Sequence, residues 1–207
     1  MKVPQHAARA LCQRVEPRSP EGRGFTLVEL LVVISIIGLL IGILLPVLAQ
    51  VRGAAEKVTC SSSLRQLGLV IESYSIEHKE TYPIARYMPE PFVSSSLHPP
   101  IMDALDGYIK AGTEATKVYQ CPDDDQVYDL SGISYEYQFS LGGNSLQDVL
   151  ERGKMRYMNI DASKLTVMRD FDNADFLLTD GSTITVPMRH IGRNILFADG
   201  HVGKLAF

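Results

Sequence analysis

Between Leu30 and Ala49 the chain carries no charged side chain, and both flanks are read from that gap. At about 1.5 Å of rise per residue, Leu27 to Ala49 is long enough as a helix to cross a hydrocarbon core of about 30 Å. Beyond it the apolar positions thin to a stripe. Val47, Val51, Ala54, Val58, Leu64, Leu67, Ile71 and Tyr74 recur at three- to four-residue steps, with Arg52, Glu56, Arg65 and Glu72 among them. That spacing predicts an amphipathic continuation of the same helix to about Ile76. Pro46, which lacks an N–H, is expected to kink or locally open it. Ser61 to Ser63 are expected to weaken it enough for a local break. Thr81-Tyr82-Pro83 should end it, because the residue before proline is pushed out of the helical region.

After the helix the pattern shortens. Residues 84–100, rich in proline and serine, read as an irregular loop. Met102 to Ile109 predicts a short helix and Val118 to Pro122 a short strand. Ile133 to Leu141 alternates apolar and polar residues and predicts a second strand, closed by a turn at Gly142-Gly143-Asn144. Two apolar runs broken by Asp-Gly follow, Phe176 to Val186 around Asp180-Gly181 and Asn194 to Val202 around Asp199-Gly200. Each is a hairpin signal. The fold class this predicts is α+β: a long N-terminal transmembrane and amphipathic helix packed on a C-terminal antiparallel β-sheet.

The 207 residues suffice for one membrane helix and one soluble domain of about 100 to 130 residues. Charge then sets direction. Residues 1–24 hold five basic and two acidic side chains, leaving 15 basic against 22 acidic, or −7, in the remainder. This basic N-terminal stretch should stay cytoplasmic, and everything after Ala49 should cross the membrane. No basic stripe follows Phe25, so nucleic acid is not an expected partner. Within the apolar run Gly38 and Gly42 have the small-xxx-small spacing of close helix pairs, a spacing that also arises in any glycine-tolerant membrane span.

Glu29 is the anomaly. A carboxylate beside a lipid-spanning run is costly and calls for a positive partner. Gly24-Phe25-Thr26-Leu27-Val28-Glu29 with the apolar helix behind it resembles the class III signal of type IV pilins and type II secretion pseudopilins, over roughly residues 20 to 80. The resemblance implies cleavage by a prepilin peptidase between Gly24 and Phe25 and N-methylation of Phe25. It places Glu29 fifth and Pro46 twenty-second in the mature chain, both positions matching the family, with Glu29 and Pro46 serving assembly. An uncleaved signal anchor would account for the apolar run alone. Farther on, Cys60 to Gly68, Tyr74 and Tyr82-Pro83, together with Arg189-His190-Ile191-Gly192 and Asn194 to His201, resemble a pilin-like subgroup with an H-X9-DG ending. Here eight residues, not nine, separate His190 from Asp199.

Cys12 leaves with the leader, so Cys60 and Cys121 remain, an even pair that can form a disulfide in an oxidising compartment or stay as two buried thiols. No CxxC supports zinc. Asp123-Asp124-Asp125 lacks the alternating ligands and final glutamate of a calcium loop and reads as a solvated acidic turn. His190, Asp199 and His201 are residue types that bind metal or act as acid and base. Asp199-Gly200 is already needed as a turn, which favours a structural reading of that trio.

The resulting division is a cytoplasmic leader at 1–24, a transmembrane half-helix at 25–49, an amphipathic half at 50–80 and an exoplasmic α+β domain at 81–207. Two function classes stand. One is a structural subunit of the inner membrane that polymerises through its N-terminal helix, with prepilin peptidase, other pilin-like subunits, an assembly platform and inner-membrane lipid as partners. The other is a signal-anchored periplasmic enzyme or metal-binding protein using His190, Asp199 and His201. No nucleophile motif or cofactor loop supports the second, and no cofactor is expected.

Overall fold

The computed structural model describes residues 25–93, 97–109, 114–171, 173–187 and 192–204. Helix α1 is Leu27–Glu77, with Pro46 inside it. The chain divides into two compact units, Met1–Leu45 and Pro46–Phe207.

In the first unit, the described residues are the start of α1 and Phe25-Thr26 before it. Every one of them is solvent-exposed in the single chain, from Leu27 at 87% to Val33 at 46% among the large apolar side chains. The helix is apolar on all sides, the pattern of a segment whose surroundings are themselves apolar.

In the second unit the helix becomes one-sided. Cys60, Leu64, Leu67 and Ile71 are buried, at steps of four, three and four residues that keep them on one face. Each buried aliphatic there contributes roughly 1.5 to 3 kcal/mol. The predicted stripe is buried only from Cys60 onward, since Val47, Val51, Ala54 and Val58 are exposed. The helix is also unbroken through Ser61 to Ser63. Ser61 Oγ donates back to the Lys57 carbonyl (3.0 Å), and Ser63 is buried between Cys60 and Leu64, so packing overrides weak propensity.

That face packs into one core with an antiparallel sheet. Strands β1 (Tyr135–Tyr137), β2 (Thr166–Asp170), β5 (Ile195–Phe197) and β6 (Val202–Gly203) lie in the order β1-β2-β5-β6. Tyr135 pairs with Asp170, Met168 with Leu196, and Leu196 with Val202. The register between β2 and β5 shifts between Thr166 and Met168, where Val167 and Met168 are both buried instead of alternating. Gly68 faces Leu196, and a Cβ there would meet Leu196 Cδ1 at 3.0 Å, so glycine lets helix and sheet approach.

Strands β3 (Ala174–Leu177) and β4 (Thr183–Val186) form a separate two-stranded hairpin. An aromatic cluster holds it: Phe171 stacks on Phe176 at 4.0 Å, and Phe92 meets both edge-on at 4.9 and 6.0 Å. The two predicted Asp-Gly turns are the same three-residue loop used twice. Leu178 donates to Ser182 and Phe197 to His201, with Gly181 and Gly200 at φ +85° and +84°. The α+β architecture expected from the residue pattern is therefore present.

Local expectations fare less evenly. The Met102–Ile109 helix is the single turn α2 (Ile101–Ala104), and the predicted strand at Val118–Pro122 is instead the end of a 3-10 helix, Glu114–Tyr119. The Cys121 N–H goes to Ser134 Oγ (2.9 Å), which leaves it no place in a ladder. The strand at Ile133–Leu141 shrinks to β1 and then turns into a 3-10 helix at Phe139–Leu141. Three short helices were not anticipated: α3 (Val127–Ser131), α4 (Leu146–Glu151) and α5 (Gly153–Tyr157).

The acidic turn is not solvated at its centre. Asp124 is 5% exposed, and its carboxylate accepts the N–H groups of Gln126 (3.1 Å), Val127 (2.8 Å) and Tyr128 (3.0 Å), the orphan donors at the start of α3. Asp124→Ala is expected to lower stability by about 2 kcal/mol. A shift in denaturant midpoint checks this, and an unshifted midpoint would show that solvent substitutes for the carboxylate.

Cys60 and Cys121 are joined by a disulfide, with sulfurs 2.04 Å and Cα atoms 4.9 Å apart across a sequence separation of 61. Cys60 is the first buried residue of α1, so the bond ties the helix to the loop before α3.

Candidate functional site

A helix leaves its first backbone N–H groups without partners, and Thr26 and Glu29 fill that need at the start of α1. Glu29 N donates to Thr26 Oγ1 (3.2 Å), while Thr26 N (2.9 Å) and Thr26 Oγ1 (2.8 Å) both donate to Glu29 Oε2. This is a capping box, reciprocal between N-cap and third helical residue. Its signature, Thr-x-x-Glu before an apolar run, is present in the sequence at Thr26 and Glu29, so the out-of-place charge is also a helix cap. The same device recurs at α4, where Ser145 and Asp148 cap each other.

The geometry has a chemical consequence. One oxygen of Glu29 is committed to Thr26, one residue beyond Phe25, so the carboxylate is held at the very tip of the helix. Phe25 is 74% exposed, and the apolar run behind it is uncovered. A carboxylate at the rim of an uncovered apolar helix can pair with a cation brought by whatever covers that helix. Gly24 lies outside the described residues. Ser35 satisfies its hydroxyl within the helix, donating to the Leu31 carbonyl at 2.7 Å, and so leaves the run apolar in effect.

The second group of sequence candidates resolves differently. Asp199 Oδ1 accepts from His201 N (3.1 Å) and lies 2.5 Å from His201 Nδ1, and the His201 ring stacks on Phe197 at 4.4 Å. Slight burial pushes the Asp199 carboxyl up, but the His201 hydrogen bonds outweigh it and hold it below its ordinary value. Both side chains are thus engaged in closing the β5–β6 turn. His190 lies outside the described residues. Among the described residues no group of three or more His, Cys, Asp or Glu side chains is placed to hold a metal ion.

A buried polar layer joins α1 to the sheet. Ser61 Oγ contacts Asn194 Oδ1 (2.9 Å), and Asn194 N donates to Asp170 Oδ2 (2.8 Å). Tyr137 OH donates to the Pro83 carbonyl at 2.9 Å, and burial pushes the phenols of Tyr135 and Tyr137 well up, keeping them as neutral donors. Ser61 and Tyr135, whose OH donates to the Cys60 carbonyl at 3.5 Å, fix the helix on the sheet, and Tyr137 holds the segment that follows the helix.

The family model of the prokaryotic N-terminal methylation motif matches residues 22–45. The match covers the Gly24 to Glu29 hexapeptide and the apolar run as far as Leu45, so the chain carries the signal of a type IV pilin-like precursor. Comparison with curated proteins finds no match, and neither does comparison with solved structures.

Proposed function

We propose that this chain is a structural subunit of a pilin-like fibre, of type II secretion pseudopilus or type IV pilus kind. In this reading prepilin peptidase removes residues 1–24, the Phe25 amine is methylated, and the inner membrane holds residues 25–49 until the subunit joins its neighbours through α1. The leader faces the cytoplasm and residues 50–207 lie on the outer side. Pro46 loosens the helix where it leaves the bilayer. The observation that carries this is the first part of α1, apolar all round and wholly uncovered in one chain, beginning at a capping box directly behind Gly24-Phe25. Lipid covers such a surface before assembly and sister helices cover it afterwards. The likeness to the H-X9-DG subgroup belongs to the same reading, as does a structural role for Asp199 and His201.

The processing step is tested at Gly24. A glycine leaves the peptidase unobstructed beside the scissile bond, so Gly24→Val should keep its leader, and mass spectrometry should find the mature N-terminus at Phe25 only in the parent. A Gly24→Val chain with the parent's mature mass would refute the cleavage site.

A further inference from the structure

The second unit contains a groove of about 680 Å³ between one flank of α1, from Arg65 to Ser75, the helix α4 and the β5–β6 turn. Leu69 and Leu150 supply apolar surface, and the carboxylates Glu72, Glu80 and Glu151 outnumber Arg65 along its walls. Leu69 is 60% exposed there. The side chain of Asp199, which also lines it, is already taken by His201. An acidic groove with an apolar floor fits a segment that brings cations around an apolar or aromatic anchor.

The same unit presents such a segment. Arg152-Gly153-Lys154-Met155-Arg156-Tyr157-Met158 is basic in sequence, and of its cations Arg152 donates to Asn144 Oδ1 in its own chain, which leaves Arg156 to meet a partner. Tyr157 is 92% exposed and Met158 58%, and Arg156 is exposed beside them. Tyrosine, methionine and arginine are the residues that protein interfaces favour, and a tyrosine this exposed has no packing role in its own chain. Its exposure also shows that the segment does not fill its own chain's groove. Resting on the fibre reading above, we infer that the α5 segment of one copy docks in the α1–α4 groove of a second copy, with Tyr157 as anchor and Arg156 toward Glu72 and Glu151. The contact joins two unlike surfaces, the kind that can propagate along a filament.

The test uses the full-length chain in membranes of its host, with the photo-crosslinking residue p-benzoylphenylalanine replacing Tyr157 or, in a separate chain, Leu40 of the apolar run. The expected result is a covalent dimer from Tyr157 whose adduct maps by mass spectrometry to residues 65–72 or 145–151. Arg156→Glu should reduce that dimer about fivefold or more, and Glu72→Arg with Glu151→Arg in the same chain should restore it. A dimer from Leu40 with none from Tyr157 overturns the docking while leaving the assembly reading intact, as does a Tyr157 adduct outside the groove. The Tyr157 adduct in the groove without a Leu40 dimer supports the docking and counts against helix-mediated assembly. Silence at both positions overturns the two together.

Discussion

Glu29→Leu chains are expected to be cleaved and inserted at parental levels and to be missing from fibres. The leucine removes a group that costs roughly 2.5 to 3.5 kcal/mol at a bilayer centre and less near the interface, so insertion should not suffer. Assembly is another matter, because in a bundle of such helices the Glu29 carboxylate of one copy can meet the Phe25 ammonium of the next. Each charge is costly alone in an apolar bundle, and pairing them favours association and sets the register. A lost contribution of only about 1.4 kcal/mol would lower incorporation roughly tenfold. The capping box supplies the control. Leucine also removes Glu29's bond to Thr26, whereas Glu29→Gln keeps a side chain able to accept it and removes only the charge. Both variants should therefore be excluded from sheared-fibre preparations. Parental incorporation of Glu29→Gln would show that the residue acts as a helix cap, and parental incorporation of Glu29→Leu would remove it from assembly altogether.

Replacing both Cys60 and Cys121 by alanine is expected to cost about 4 kcal/mol, from the chain entropy that a crosslink across 61 residues removes from the unfolded state. For a domain of this size that corresponds to a fall in melting temperature of about 8 to 16 °C. Circular dichroism melts of a chain beginning at Gln50 check it, and reduced parent protein should match the double variant. A melting temperature within about 2 °C of the parent's would mean that the unfolded chain already keeps Cys60 and Cys121 close.

The membrane run and the hairpins were legible because each is written in one local signal. Charge is simply absent from Leu30 to Ala49, and Asp180-Gly181 and Asp199-Gly200 each supply a carboxylate that accepts the N–H two residues on, with a glycine that tolerates positive φ. Where the outcome depends on distant partners, the local pattern misled. Val118 to Cys121 has strand-like composition, yet the disulfide and Ser134 direct its end elsewhere. Tyr135 and Tyr137 do alternate inward, but Gln138 donates to Val167 and the chain turns away at Phe139. The triplet Asp123 to Asp125 looked like surface because nothing in sequence distinguishes its middle member, which caps α3. Of the assembly candidates, Glu29 is legible twice over, as a charge out of place and as the last member of Thr-x-x-Glu, while the length of α1 beyond it depends on packing against the sheet.

The position of the disulfide bears on how a fibre would carry load. In a fibre built through α1, tension would reach the second unit along that helix, and a helix lying on a sheet is most easily detached by peeling, one contact breaking after another from the pulled end. Here the pulled end of the buried face is Cys60, and it is covalently fastened. Peeling cannot start there, so Leu64, Leu67 and Ile71 would have to slide off the sheet together in shear. Under a reducing agent the same pull would unzip them singly, and the second unit would yield at a much lower force.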